Sequence, residues 1–139
     1  EEVGIQGGNE YHRWVKEEER SLDNHVLAME SDAGVFDPIG FGFSGSDKAY
    51  NILSEIGIML QSIESGKVSK GGGGADIGPL MRDGVPGMGL VVDGSRYFWY
   101  HHTAADTMDK LDKEDFNECV ATMAVFAYAV ADLEERLPR

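Results

Sequence analysis

Basic side chains are scarce in this 139-residue chain: twelve Lys and Arg face twenty-five Asp and Glu, a formal net charge of −13. That excess repels a phosphate backbone, so nucleic-acid binding is excluded as a function class. It equally disfavours an anionic membrane surface. Cysteine is nearly absent. A single Cys119 rules out an internal disulfide and leaves the redox compartment unread. Long apolar runs are missing too: the longest, CVATMAVFAYAVA at 119–131, falls short of the roughly 20 residues a bilayer-spanning helix needs. No membrane association is expected. No stretch has the form of a signal peptide, and the opening Glu1-Glu2-Val3-Gly4 has neither leader nor initiator Met. The chain therefore reads as the downstream part of something longer. Histidine is rare as well, at 12, 25, 101 and 102 only.

What is present suits one globular unit. The hydrophobic share of 42% supports an ordinary core and excludes wholesale disorder. After a glycine pair, 9–20 has Tyr11, Trp14 and Val15 on one face, so a helix is expected with Asn9 as its N-cap. HVLAMES (25–31) is a short apolar run between turn residues, the pattern of a buried strand. FGFSG (41–45) offers a second strand. From Ser46 onward, apolar residues at 49, 52, 53, 56, 59, 60 and 63 fall on one helical face, with Ser46 as N-cap. Four consecutive glycines, Gly71–Gly74, sit in a stretch (65–79) that reads as a loop approaching something closely. A short helix ending at Gly84, a strand over 85–94, a strand over YFWYHH and a long final helix from Lys113 to Arg136 capped by Asp112 complete the chain. Strands alternating with helices predict an α/β sandwich with a largely parallel sheet.

In such sheets functional groups collect beyond the carboxyl ends of the strands. Asp32 follows HVLAMES, and His101 and His102 follow YFWY. Carboxylates with imidazole form the donor set that zinc prefers. Each group also has an ordinary role open to it, as a structural histidine or a solvated acid. His12 and His25 are expected to be structural or surface residues, and Met81 and Met88 to belong to the core.

Five segments decide between these readings. EEVGIQGGNEY, LAMESDAGVF, GADIGPLMRDGVPG, YFWYHHTAADTMDKLD and AVFAYAVADLEERLPR, in that order, resemble the C-terminal half of the co-catalytic di-zinc exopeptidases, the aminopeptidase and glutamate carboxypeptidase family. The resemblance covers nearly the whole chain, and HHTAADT and MESDAG carry most of it. It implies an α/β three-layer sandwich with a mostly parallel mixed sheet, of which residues 1–139 are the C-terminal part. It also implies a metallo-exopeptidase that hydrolyses dipeptides or short peptides through a metal-activated water, with two zinc ions in the full-length protein.

By the same resemblance, Glu1 is the general base, and Glu2, Asp32 and His102 are metal ligands. Glu30 is the alternative to Asp32, and a structural acid is its preferred role. His101 is expected to point away from His102 if the segment is extended, toward substrate. Asp106 is expected to tether the turn or to orient an imidazole. Gly71–Asp76 corresponds to a glycine-containing segment beside the substrate pocket. The family's remaining ligands, a His and a bridging Asp, precede the Glu pair, so this chain alone is expected to bind zinc poorly and to be inactive. The edge left without upstream strands is expected to pair with another chain, a homodimer among the outcomes. Secretion or a periplasmic location follows from the resemblance alone. Two other functions remain open: a glutaminyl cyclase-like or aminoacylase-like amide-processing enzyme, and a catalytically dead interaction module on the same scaffold.

Overall fold

In β2 (Pro38–Ser44) and β4 (Gly87–Val92), bulky and glycine residues alternate, and that alternation organises the molecule. Successive strand side chains point to opposite faces. The two strands run antiparallel, with Phe41 opposite Leu90, Phe43 opposite Met88 and Gly42 opposite Gly89. One face is therefore large and apolar, and the other is bare backbone. The computed structural model describes residues 2–17 and 21–139. Its sheet has the order β1-β4-β2-β3, where β1 is Ala28–Glu30 and β3 is Lys67–Lys70. The β1–β4 and β2–β3 pairings are parallel, so the sheet is mixed and mostly parallel, as expected.

The apolar face is covered by α2 (Asp47–Gly57) and α5 (Lys113–Ala131), both of which contact β2. Phe41, Leu53, Met88 and Phe126 are fully buried there, and the Phe41 and Phe126 rings meet edge to face at 4.8 Å. Burying four such side chains stabilises the fold by roughly 1.5–3 kcal/mol each. Both helices start where their caps predict. Ser46 Oγ accepts from the Ala49 amide, and an Asp112 carboxylate oxygen accepts from Glu114 and Asp115. The final helix stops at Ala131 rather than Arg136. Beyond it the tail folds back, burying Leu137 and offering the Pro138 carbonyl to Ser46 Oγ.

The glycine face meets backbone instead. A β-carbon at Gly42 would lie 2.6 Å from the Gly71 carbonyl oxygen, so the glycine-rich loop packs directly on the sheet. Beside it sit α3 (Gly78–Arg82) and α1 (Gln6–Glu17), giving three layers. The first helix begins earlier than expected. The Asn9 amide donates to the Ile5 carbonyl, so Asn9 lies inside the helix and does not cap it. Residues 18–20 of the expected helix lie outside the described residues.

Two expectations fail here. Lys67–Lys70 inside the expected loop is an edge strand with only Val68 buried, too short and too charged for its alternation to stand out. YFWY is not a strand but a single helical turn, α4 (Tyr97–Tyr100). Asp93, whose carboxylate accepts from the Ser95 amide, and the tight turn at Gly94–Arg96 deliver the chain in helical geometry. Aromatic strand propensity yields to that context.

Candidate functional site

Helical geometry at α4 sorts its four rings by a period of three. Tyr97 and Tyr100 turn inward and line a cavity of about 650 Å³, while Phe98 and Trp99 stay 81% and 65% exposed. His101 ends the helix, its amide donating to the Tyr97 carbonyl. The next residue, His102, takes the left-handed conformation with φ of 55°. Few side chains adopt it, though histidine does so more readily than most. A tight turn holds it there: the Thr103 amide and hydroxyl both donate to the Tyr100 carbonyl, and Thr103 Oγ1 accepts from the Ala105 amide.

The turn sets the His102 ring beside the start of the chain. His102 Nε2 lies 2.9 Å from Glu2 Oε1, across a separation of 100 residues. The bond to His102 and then its charge hold the Glu2 carboxyl below the usual carboxylate range. Both side chains remain accessible, at 61% and 69% exposure. His101 does not point away as an extended segment would require. Its ring stacks on His102 with centroids 3.8 Å apart and on Tyr97 at 4.5 Å, a ladder of three rings.

Asp32 joins the same cavity from the turn after β1. Gly34, at φ of 84°, bends the chain there toward Phe36, whose ring is another wall. Asp106 and Lys110 also line the cavity. Lys110, paired with Asp109, escaped the sequence reading because a lone lysine on a polar turn carries no pattern. Glu30, the alternative ligand, faces elsewhere: its two carboxylate oxygens accept from the Ala75 and Ile77 amides. The glycine segment 71–76 is not among the cavity's lining residues. Glu1 lies outside the described residues.

The other expected bystanders are occupied structurally. His12 Nε2 is 2.7 Å from Asp83 Oδ2, and His25 Nε2 is 2.8 Å from the Tyr11 hydroxyl. Cys119 is buried, and burial followed by the nearby Asp115 and Glu118 charges pushes its thiol up to about 11. It is therefore no nucleophile at neutral pH.

The model for peptidase family M28 matches residues 1–127. The chain belongs to peptidase family M28. Among its relatives, carboxypeptidase Q of Bos taurus is 45% identical and that of Homo sapiens 42%, each over all 139 residues of this chain. The chain spans 29% of the length of both. A solved relative, the peptidase M28 precursor of Shewanella amazonensis SB2B, superposes with a TM-score of 0.82 at 33% identity. That likeness covers 98% of this chain and 30% of the other, and gives the M28 fold to the mixed sheet and its flanking helices.

The residues at the cavity suit a zinc ion in part. Imidazole nitrogen and carboxylate oxygen are the right donors, and two tetrahedral zinc ligands stand about 3.4 Å apart. The Glu2–His102 pair at 2.9 Å needs only a small opening to reach that separation. Among the described residues, no three His, Cys, Asp or Glu side chains group closely enough to hold a metal by themselves. Among them too, no helix is long and apolar enough to cross a membrane.

Proposed function

We propose that the protein to which this chain belongs is a zinc-dependent exopeptidase that hydrolyses dipeptides or short peptides, and that the cavity at Glu2 and His102 is part of its active site. One observation carries the reading: a carboxylate and an imidazole 100 residues apart in the chain meet in an open cavity that Asp32 also lines. Family membership and the carboxypeptidase Q relatives support it. The activity is that of the whole polypeptide, of which this chain corresponds to 29% in those relatives.

Glu2 and His102 are the ligands this chain would provide to one zinc, and Asp32 the ligand it would provide to the other. Zinc held there would supply Lewis-acid chemistry, lowering the pKa of a bound water and polarising the scissile carbonyl. The chain's own groups do the rest. Glu1, next to Glu2, takes the proton from the attacking water and returns it to the departing amine. The Tyr97–His101–His102 ladder holds the imidazole ring in one orientation. Tyr97, Tyr100 and Phe36 wall off water on one side, and the acidic rim formed by Glu2, Asp32 and Asp106 suits a cation or a substrate amine. Secretion and a homodimer belong to the same proposal.

The test is metal content and dipeptide hydrolysis by the full-length protein, beside Glu1→Gln and His102→Ala. Glu1→Gln is expected to keep zinc and lose rate on the order of 10²–10⁴-fold. His102→Ala is expected to lose both. Near-normal turnover by Glu1→Gln would remove the assigned base. A full-length protein with one tightly held zinc and cyclase activity would instead favour the amide-processing alternative.

A further inference from the structure

Glu30 is placed oddly for a surface acid. It is the last residue of β1, two positions before Asp32, and opposes Gly89 in the register with β4. Its carboxylate turns onto the glycine face of the sheet and accepts two backbone hydrogen bonds, from Ala75 at 2.9 Å and Ile77 at 3.0 Å. Nothing but glycine fits between: a β-carbon at Gly74 would fall inside the Glu30 carboxylate. A carboxylate meets the two N–H donors with one oxygen each, both carried on one carbon.

The clamped turn in turn seats the first helix. A β-carbon at Gly8 would lie 2.6 Å from the Asp76 carbonyl oxygen, so α1 rests on the backbone between the two clamped amides. Farther along, His12 and Lys16 bind Asp83 just past α3, fixing the other end of the same face. Glu2 is four residues ahead of α1.

We propose that Glu30 is a positioning residue: by clamping the Ala75–Ile77 turn it seats α1 and thereby sets Glu2 opposite His102, tying the Glu2 side of the cavity to the strand that leads to Asp32. The metal-binding part of this inference rests on the function proposed above. The seating of α1 does not.

The test uses the full-length protein with three variants. Glu30→Gln keeps the volume but offers one acceptor to two donors and turns an amide N–H toward one of them. In the metal-free protein, hydrogen exchange is expected to quicken about tenfold or more at Ala75, Ile77 and the α1 amides from Asn9 onward, with the β2 amides unchanged. Zinc affinity, read by chelator competition, is expected to fall about tenfold, comparable to the loss of an orienting partner. Gly8→Ala approaches from the other side. In an unencumbered helix interior it would stabilise, but here it presses on the Asp76 carbonyl and is expected to copy both effects. The double variant is expected to lose less affinity than the product of the two single losses, because both act on one seat. Unchanged exchange in α1 for both single variants overturns the clamp. Faster α1 exchange with unchanged zinc affinity overturns the positioning of Glu2. If the wild-type protein binds no zinc, the peptidase proposal fails, and α1 exchange alone decides whether Glu30 seats the helix.

Discussion

Phe126 and His102 belong to regions held together in different ways. Phe126 is wholly buried against Phe41 in a layer of side chains between α2, α5 and the sheet. His102 is more than half exposed, on a strained turn, and its partner Glu2 stands on a segment seated by loop backbone. In the first region many weak contacts add up. In the second a few polar contacts set positions with little packing behind them. A protein can therefore lose its site while keeping its fold, or lose stability while each folded molecule keeps its site.

The largest expected effect breaks the core. Phe126→Ala leaves a cavity between α5 and the sheet and is expected to cost about 3–5 kcal/mol in denaturant unfolding. Zinc affinity per folded molecule is expected to stay unchanged. Glu2→Gln is the mirror case. In the full-length protein it is expected to weaken zinc binding more than the roughly 100-fold that an outer partner costs. Unfolding of the metal-free protein should stay close to wild type, as for other exposed positions. If both variants lost stability and metal together, the two regions would be one cooperative unit and the comparison would fall.

A smaller effect tests the polar pair inside the core. Ser65 and Thr122 are both fully buried, their hydroxyl oxygens 2.6 Å apart. Thr122→Val strands the Ser65 hydroxyl and is expected to cost about 1–3 kcal/mol, whereas adding Ser65→Ala recovers most of it. Thermal unfolding of the three variants measures this. The smallest effect is at the seat of α1. Lys16 first, then His12, holds the Asp83 carboxyl below its ordinary value of 3.8. A carboxyl with a folded value below its unfolded one stabilises fully above the unfolded value, and that stabilisation is lost as pH falls through the folded one. Protection of the α1 amides, measured relative to the intrinsic exchange rate at each pH, is therefore expected to fall below about pH 4, and Asp83→Asn to remove that change in protection.

Much of the fold was legible before any coordinates. The face repeating from Ala49 to Ile63 and the caps at Ser46 and Asp112 are local signals, and α2 and α5 start where they say. The elements misread are those with little local signal. Lys67–Lys70 is a strand because β2 needs a neighbour, and YFWY is a helical turn because Asp93 and Gly94–Arg96 set its entry. At the site, residue types and position drew attention to Asp32, His101 and His102, and only the resemblance to the di-zinc exopeptidases pointed to Glu2 and chose between the imidazoles. The stacking of His101 on His102 was invisible because a wrong backbone conformation sent its ring the other way.

The amino-acid order alone determined the chemistry available here: an excess of acidic side chains, a single thiol, two adjacent imidazoles after a ring-rich segment, and a run of glycines suited to close backbone approach. Those are properties of residues and their near neighbours. Tertiary structure decided which of them meet. Glu2 reaches His102 and Glu30 reaches Ala75 and Ile77 only because the sheet brings together segments 100 and about 45 residues apart. Contacts of that span depend on the packing of every layer between them, and no local pattern encodes that.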